Sequence, residues 1–370
     1  MARIHRRPVL ISLLFALLGA VSPLAMGGPE SVKPPKADPA GAEASPPELG
    51  AVRWVRDFDV AATRARERGL PLLVVFTEVP GCDTCVGFGA EVLSHPLIVE
   101  AAENLFVPVA VLNNVEGPDK AVLESFKEPA WANPVVRIMS PDRADLVPRI
   151  GDDWTVGAVA SAMVAALTKG ESKAPGYLLT LREEEESKGR TLETVLFEVK
   201  DTAVAEAKIG ALGAVIRTRI GTRDGASVLE ATFDPARQDY LSLLRTVWRM
   251  NVATAVVYSH DLRTEETRRA FGPSGAKRGS TEFTEAAEPG LARLRESPYR
   301  AVPMTPVQAL RVNSALHAGR DADQFLSPRQ VRFRGTAMQH PGAAWPIVAG
   351  VSDLAKAFDE AEAFAAALNK

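Results

Sequence analysis

The chain has 370 residues, 46% hydrophobic and 24% charged, with a formal net charge of −3. That composition is ordinary for globular protein, and the length allows two domains plus extras. The charge gives no general nucleic-acid signal, and the two cysteines, Cys82 and Cys85, are too few for the four-ligand pattern of structural zinc.

The N-terminus reads as a secretory signal, residues 1–27. Arg3, His5, Arg6 and Arg7 make a basic start, and Val9 to Val21 is an apolar run shorter than a membrane span of ~20 residues. Ala25-Met26-Gly27 supplies small residues before a cut at Gly28. Export to a periplasmic or extracellular space is expected, with an uncleaved, membrane-anchoring signal as the alternative. Residues 28–50, with Pro34-Pro35, Pro39 and Pro46-Pro47, read as an extended, disordered spacer.

A first domain is expected over 51–169. Trp54, Phe58, Ala61, Ala62 and Ala65 fit one helical face that Gly69 ends. Leu70 to Phe76 reads as a buried strand. After it come Val79-Pro80-Gly81-Cys82-Asp83-Thr84-Cys85 and a helical segment from Val86 to about Leu93. Strand, tight turn, C-x-x-C and helix make the local plan of a thioredoxin-type redox site. A thiolate is the attacking species, and a helix N-terminus favours it. Cys82 at the helix start is therefore the expected nucleophile. Cys85, one turn further in, is the expected resolving thiol. A permanent Cys82–Cys85 disulfide in a binding or structural protein is the alternative. Strands follow at Leu105 to Leu112 and Val135 to Met139, with a hairpin into Leu146 to Ile150 and an alanine-rich helix from Val156 to Leu167. This alternation argues for an α/β sheet domain.

The order resembles the thioredoxin fold across about 51–169. By that resemblance Pro134 is cis and faces Cys82, and Asn133 offers its backbone to an extended substrate. Thioredoxin's buried aspartate falls on Val75 or Phe76, which leaves Glu78 as the nearest carboxylate for a proton shuttle. The turn itself resembles the VPGUxxT family of thioredoxin-like proteins and selenoproteins, with Cys82 where selenocysteine often stands. That resemblance implies redox chemistry at Cys82 and names no substrate.

Residues 170–189 read as a second linker, with Pro175-Gly176 and the acidic run Glu183 to Glu186, where a short solvated helix is possible. From 190 to 330 strands and helices follow in an order that suggests a compact α+β sandwich. They are strands at Thr191 to Val199, Ala214 to Ile220, Val228 to Phe233 and Val252 to Tyr258, and helices at Ala203 to Leu212, Asp234 to Met250 and Thr264 to Phe271. Ala214 to Gly221, Phe233 to Arg237, Tyr240 to Leu244 and Ala255 to Asp261 resemble peptide methionine sulfoxide reductase A. Asp201 stands where that family has its nucleophilic cysteine, Ser227 at its glutamate and Val252 at its tyrosine, so a non-catalytic scaffold or binding role is expected. The tail, 331–370, ends in an amphipathic helix with Leu354, Ala357, Phe358, Ala361, Phe364, Ala365 and Leu368 on one face, a stripe typical of core packing.

The sequence thus predicts an α/β thioredoxin-like fold followed by an α+β sandwich. The expected activity is thiol–disulfide exchange with protein or small-molecule thiols and disulfides. It needs an electron donor the sequence does not name, and no metal, organic cofactor, nucleic acid or stable membrane span after signal cleavage.

Overall fold

The computed structural model describes residues 45–288 and 290–368. The signal segment and the spacer up to residue 44 lie outside them.

The first sheet is built on the apolar run that follows the first helix. Helix α1 (Phe58–Arg68) starts where the Asp57 side chain accepts from the Val60 amide and stops at Gly69, which takes the left-handed conformation. Strand β1 (Leu72–Thr77) is buried along its whole length. Then come α2 (Asp83–Glu91), α3 (Pro96–Leu105), β2 (Val107–Leu112), α4 (Pro118–Ser125), β3 (Val135–Met139) and α5 (Val156–Lys169). The sheet order is β2-β1-β3, with β2 parallel and β3 antiparallel to β1. A central strand needs apolar side chains on both faces. Leu73 and Val75 meet Phe88, Leu97, Ile98, Val159 and Met163 on one side. Leu72, Val74 and Phe76 meet Phe58, Ala61, Ala65 and Leu123 on the other. Pro108 is tolerated because β2 is an edge strand.

The expected strand from Leu146 to Ile150 is reduced to two isolated bridges, Met139 to Asp145 and Val136 to Ile150. Pro148 has no amide to donate there.

The second sheet is larger. Helix α6 (Gly176–Lys188) leads to β4 (Glu193–Val199), α7 (Thr202–Ile209), β5 (Val215–Arg223), β6 (Ala226–Phe233), α8 (Tyr240–Met250), β7 (Ala253–Tyr258), α9 (Thr264–Gly275), β8 (Ala276–Arg278) and β9 (Thr284–Glu285). The order is β8-β7-β4-β6-β5-β9. Asp224 and Gly225, both at positive φ, close the β5–β6 hairpin in a two-residue loop. The helix expected from Asp234 begins only at Tyr240. The Asp234 side chain accepts from the Ala236 amide in a turn, and Asp239 is the cap that starts α8.

Helices α10 (Ala292–Arg295), α11 (Pro306–His317), α12 (Pro328–Gln339) and α13 (Leu354–Leu368) complete the described chain. They share a core with α6 and the helices of the first sheet. One hydrophobic cluster joins Leu97, Ile98 and Met163 of the first sheet's helices to Tyr177, Leu178 and Leu181 of α6, Val312 of α11, Phe333 of α12 and Phe358 of α13. The supposed linker is a core helix. Its acidic run is not a solvated face. Glu183 accepts from Arg311 at 3.0 Å, Glu184 from the Val307 amide at 3.1 Å, and Glu186 from Ser161 at 2.9 Å and Arg237 at 2.7 Å. The stripe on α13 is core packing, with Leu354, Ala357, Phe358 and Ala361 buried. Among the described residues no single helix is long and apolar enough to cross a membrane.

Candidate redox site

The redox pair sits where β1 ends and α2 begins. Between them the Val79–Pro80 peptide is cis. Gly81 follows because the turn leaves no room for a side chain: a Cβ there would stand 2.6 Å from the Glu78 carbonyl oxygen and 2.8 Å from the Cys85 Cβ. Cys82 is the N-cap of α2, with extended backbone. At an N-cap, the amides of the second and third helical residues face the capping side chain. Here those residues are Thr84 and Cys85. The Cys85 amide, with the Thr84 amide and hydroxyl, holds the exposed Cys82 thiol below its ordinary pKa. Asp83, the first residue of α2, makes no hydrogen bond to either sulfur.

Cys85 is fully buried. Burial raises its pKa above the ordinary value, partly offset by the Thr77 hydroxyl and the Glu78 amide beside the sulfur. The two sulfurs are 3.6 Å apart as free thiols. The site therefore pairs an outer sulfur that favours the thiolate with an inner one that favours the thiol.

Asn133 and Pro134 come to the same place from the turn before β3. Their peptide bond is cis. The Asn133 Oδ1 accepts from Cys85 Sγ at 3.0 Å and lies 3.9 Å from Cys82 Sγ. The resemblance assigned Asn133 a backbone role; its side chain also touches the reacting pair. Two further asparagines hold the surrounding loops. Asn113 donates to the carbonyls of Ala130 and Ala132 at 3.3 and 2.9 Å. Asn114 pairs with both the amide and the carbonyl of Val79, at 3.3 and 3.2 Å. The indole of Trp154 donates to the Pro134 carbonyl at 2.8 Å, and Trp131 is 81% exposed beside that loop.

Glu78 contributes its backbone: the amide faces Cys85, while the carboxylate makes no hydrogen bond to either sulfur. The carboxylate buried at the turn is Glu48, 4% exposed, whose Oε1 accepts from the Gly81 amide at 2.6 Å. Glu48 lies in a short 3-10 helix, Pro47–Leu49, inside the stretch read as spacer. This strap rests on α2 at Gly89. Gly89 is a weak helix former, and a Cβ there would lie 1.9 Å from the Pro47 carbonyl oxygen.

The three positions taken from the reductase resemblance have local duties. Asp201 caps α7 by accepting from the Val204 amide at 2.9 Å, Ser227 is an exposed residue of β6, and Val252 is buried before β7. Among the described residues no three His, Cys, Asp or Glu side chains group as a metal site.

Residues 53–141 match a family model described as thioredoxin-like. Among solved structures, the chain is similar to one titled "DsbH Oxidoreductase", at 16% identity over 36% of this chain and 95% of that chain, with a TM-score of 0.28. It is also similar to the solution structure of a thioredoxin from Thermus thermophilus, at 20% identity over 32% of this chain and 90% of that chain, with a TM-score of 0.28. No curated protein matches the chain. With the family match lying over the β2-β1-β3 sheet and the turn that carries Cys82 and Cys85, the N-terminal part of this chain has a thioredoxin-like fold.

Proposed function

We propose that this protein is an exported thiol–disulfide oxidoreductase in which Cys82 attacks and Cys85 resolves. One observation carries the reading: an exposed sulfur at a helix N-cap lies 3.6 Å from a buried partner. The Cys82 thiolate attacks a disulfide R–S–S–R′, expels R′–S⁻ and forms a mixed disulfide. Cys85 then bonds to Cys82 and releases R–S⁻. The pair is oxidised and the substrate reduced, and an electron donor returns it to the dithiol; in the reverse direction the Cys82–Cys85 disulfide takes two electrons from a dithiol partner, which leaves as the disulfide.

The basic, then apolar, N-terminus supports delivery to a periplasmic or extracellular space. Partners are protein or small-molecule thiols and disulfides. The Val-Pro-Gly turn before Cys82 supports kinship with the VPGUxxT proteins, with sulfur in place of selenium. The second half reads as a relative of methionine sulfoxide reductase A that lost its nucleophile at Asp201 and serves as scaffold or binding module.

The test is iodoacetamide alkylation of each single mutant against pH. Cys82 in Cys85→Ser is expected to react at neutral pH, and Cys85 in Cys82→Ser slowly until alkaline pH. The reverse order would sink the assigned roles. A pair that stays oxidised in strong reductant while the fold is intact would establish a structural disulfide instead.

A further inference from the structure

Resolution by Cys85 presents a proton problem. Only a thiolate attacks a disulfide, yet Cys85 is fully buried and held as a thiol. Its proton needs an acceptor within hydrogen-bond reach, or one water away. Cys82 Sγ, 3.6 Å away, is bonded to the substrate at this step; the other groups around the sulfur are the Asn133 carboxamide, the Thr77 hydroxyl and the Glu78 amide, and none of these is a base.

Glu48 carries a carboxylate and stands across Gly81 from Cys85. The point where a Cβ on Gly81 would stand is 2.8 Å from the Cys85 Cβ and 3.0 Å from the Glu48 Cγ, so the two side chains flank the same glycine. Oε1 is held by the Gly81 amide at 2.6 Å. Oε2 is buried and has no hydrogen-bond partner. A buried carboxylate oxygen left without a donor is costly and calls for a reason. A second feature shows that the fold is shaped to keep it there. The strap Pro47–Leu49 packs against α2 only because residue 89 is glycine, and Gly50, at φ 57°, turns the chain back toward Leu93.

We propose that Glu48 accepts the Cys85 proton during resolution, so that a side chain from before the thioredoxin-like segment completes the redox site. The proposal rests on the oxidoreductase reading above. In the step, the Cys85 sulfur bonds to Cys82 as the bond from Cys82 to the substrate sulfur breaks. The substrate leaves as a thiolate, and the Cys85 proton moves to Glu48, so one carboxylate is replaced by one thiolate and charge is conserved. Residues 53–141 therefore do not include the proton acceptor.

The experiment uses the reduced full chain and one equivalent of dithiobis(nitrobenzoate). The first release of coloured thiolate reports attack by Cys82, and the second reports resolution by Cys85. Glu48→Gln keeps the shape and the acceptor for the Gly81 amide but is not a base. It is expected to leave the first phase within about twofold and to slow the second at least about tenfold at neutral pH, with the loss shrinking as pH rises. Glu48→Asp, which keeps a carboxylate, should regain part of the second phase, and Glu78→Gln should alter neither. An unchanged second phase in Glu48→Gln, equal slowing of both phases, or a second phase lost in Glu78→Gln instead would each overturn the proposal. If the unaltered chain lacks the first phase, the oxidoreductase reading falls and takes this proposal with it.

Discussion

The hydrogen bond from Cys85 Sγ to Asn133 Oδ1, 3.0 Å long, exists only while Cys85 keeps its proton. It therefore stabilises the dithiol and has no counterpart in the disulfide. A neutral hydrogen bond contributes about 0.5–1.5 kcal/mol, and for a two-electron couple about 1.4 kcal/mol corresponds to roughly 30 mV. Asn133→Ala should make the pair more reducing, by about 10–30 mV, in equilibrium with glutathione. An unchanged or higher potential would show that the carboxamide does not favour the reduced form. His95 poses a separate single-residue question. Burial, then the charge of Lys188, lowers its pKa from 6.5 to about 4. Its Nδ1 is buried without a partner, in a cavity of about 400 Å³ that Glu91, Glu184, Glu185, Lys188 and Asp353 also line. The folded state holds His95 neutral where the unfolded chain would protonate it. Stability from this group is thus complete above pH 6.5 and falls as pH drops toward 4, by about 2 kcal/mol at pH 5. Urea titrations at pH 7.5 and 5.0 should show that loss, and His95→Gln should remove most of it.

Helix α2 carries two glycines with opposite surroundings. A Cβ at Gly87 meets nothing within 4 Å, whereas one at Gly89 would lie 1.9 Å from the Pro47 carbonyl oxygen. Gly87→Ala should stabilise the protein by about 0.5–1 kcal/mol, the usual gain in a helix. Gly89→Ala should destabilise it by about 1–3 kcal/mol, because backbone and not a flexible side chain must move. Equal effects in chemical denaturation would mean that the strap does not rest on α2. The contrast is invisible in the sequence, where both glycines are only weak helix formers. Helix α6 teaches a similar lesson. Four consecutive glutamates read as a solvated face, since nothing local supplies partners. Arg311 lies 128 residues from Glu183, and Arg237 lies 51 from Glu186.

Across the whole molecule, Arg311 ties the parts together. It is 5% exposed, donates to the carbonyls of Gly210 and Val215 and pairs with Glu183 at 3.0 Å, joining α11 to the second sheet and to α6. Its burial lowers its pKa, against the opposing pull of Glu183. Arg311→Ala would leave the Gly210 and Val215 carbonyls without that donor and Glu183, among the described residues, with only Arg237, 3.8 Å away. A loss of about 3–5 kcal/mol is expected, seen as a lower unfolding midpoint in urea. An unchanged midpoint would show that Arg311 does not tie α11 to the second sheet. What the sequence determined by itself was everything written in short-range pattern. The buried run of β1, the C-x-x-C at a helix start, four of the six strands of the second sheet and the apolar stripe of α13 each follow from periodicity or local turn chemistry over a few residues. What only the tertiary structure decided was pairing at long range. Glu48 reaches Gly81 across 33 residues, the side chain of Asn133 meets Cys85 across 48, and α6, where composition reads a linker, packs on the first sheet's helices and pairs with Arg237 and Arg311. The physical reason is that hydrophobic periodicity records which face of an element is buried, while a lone carboxylate or amide records nothing of its partner until the chain closes around both.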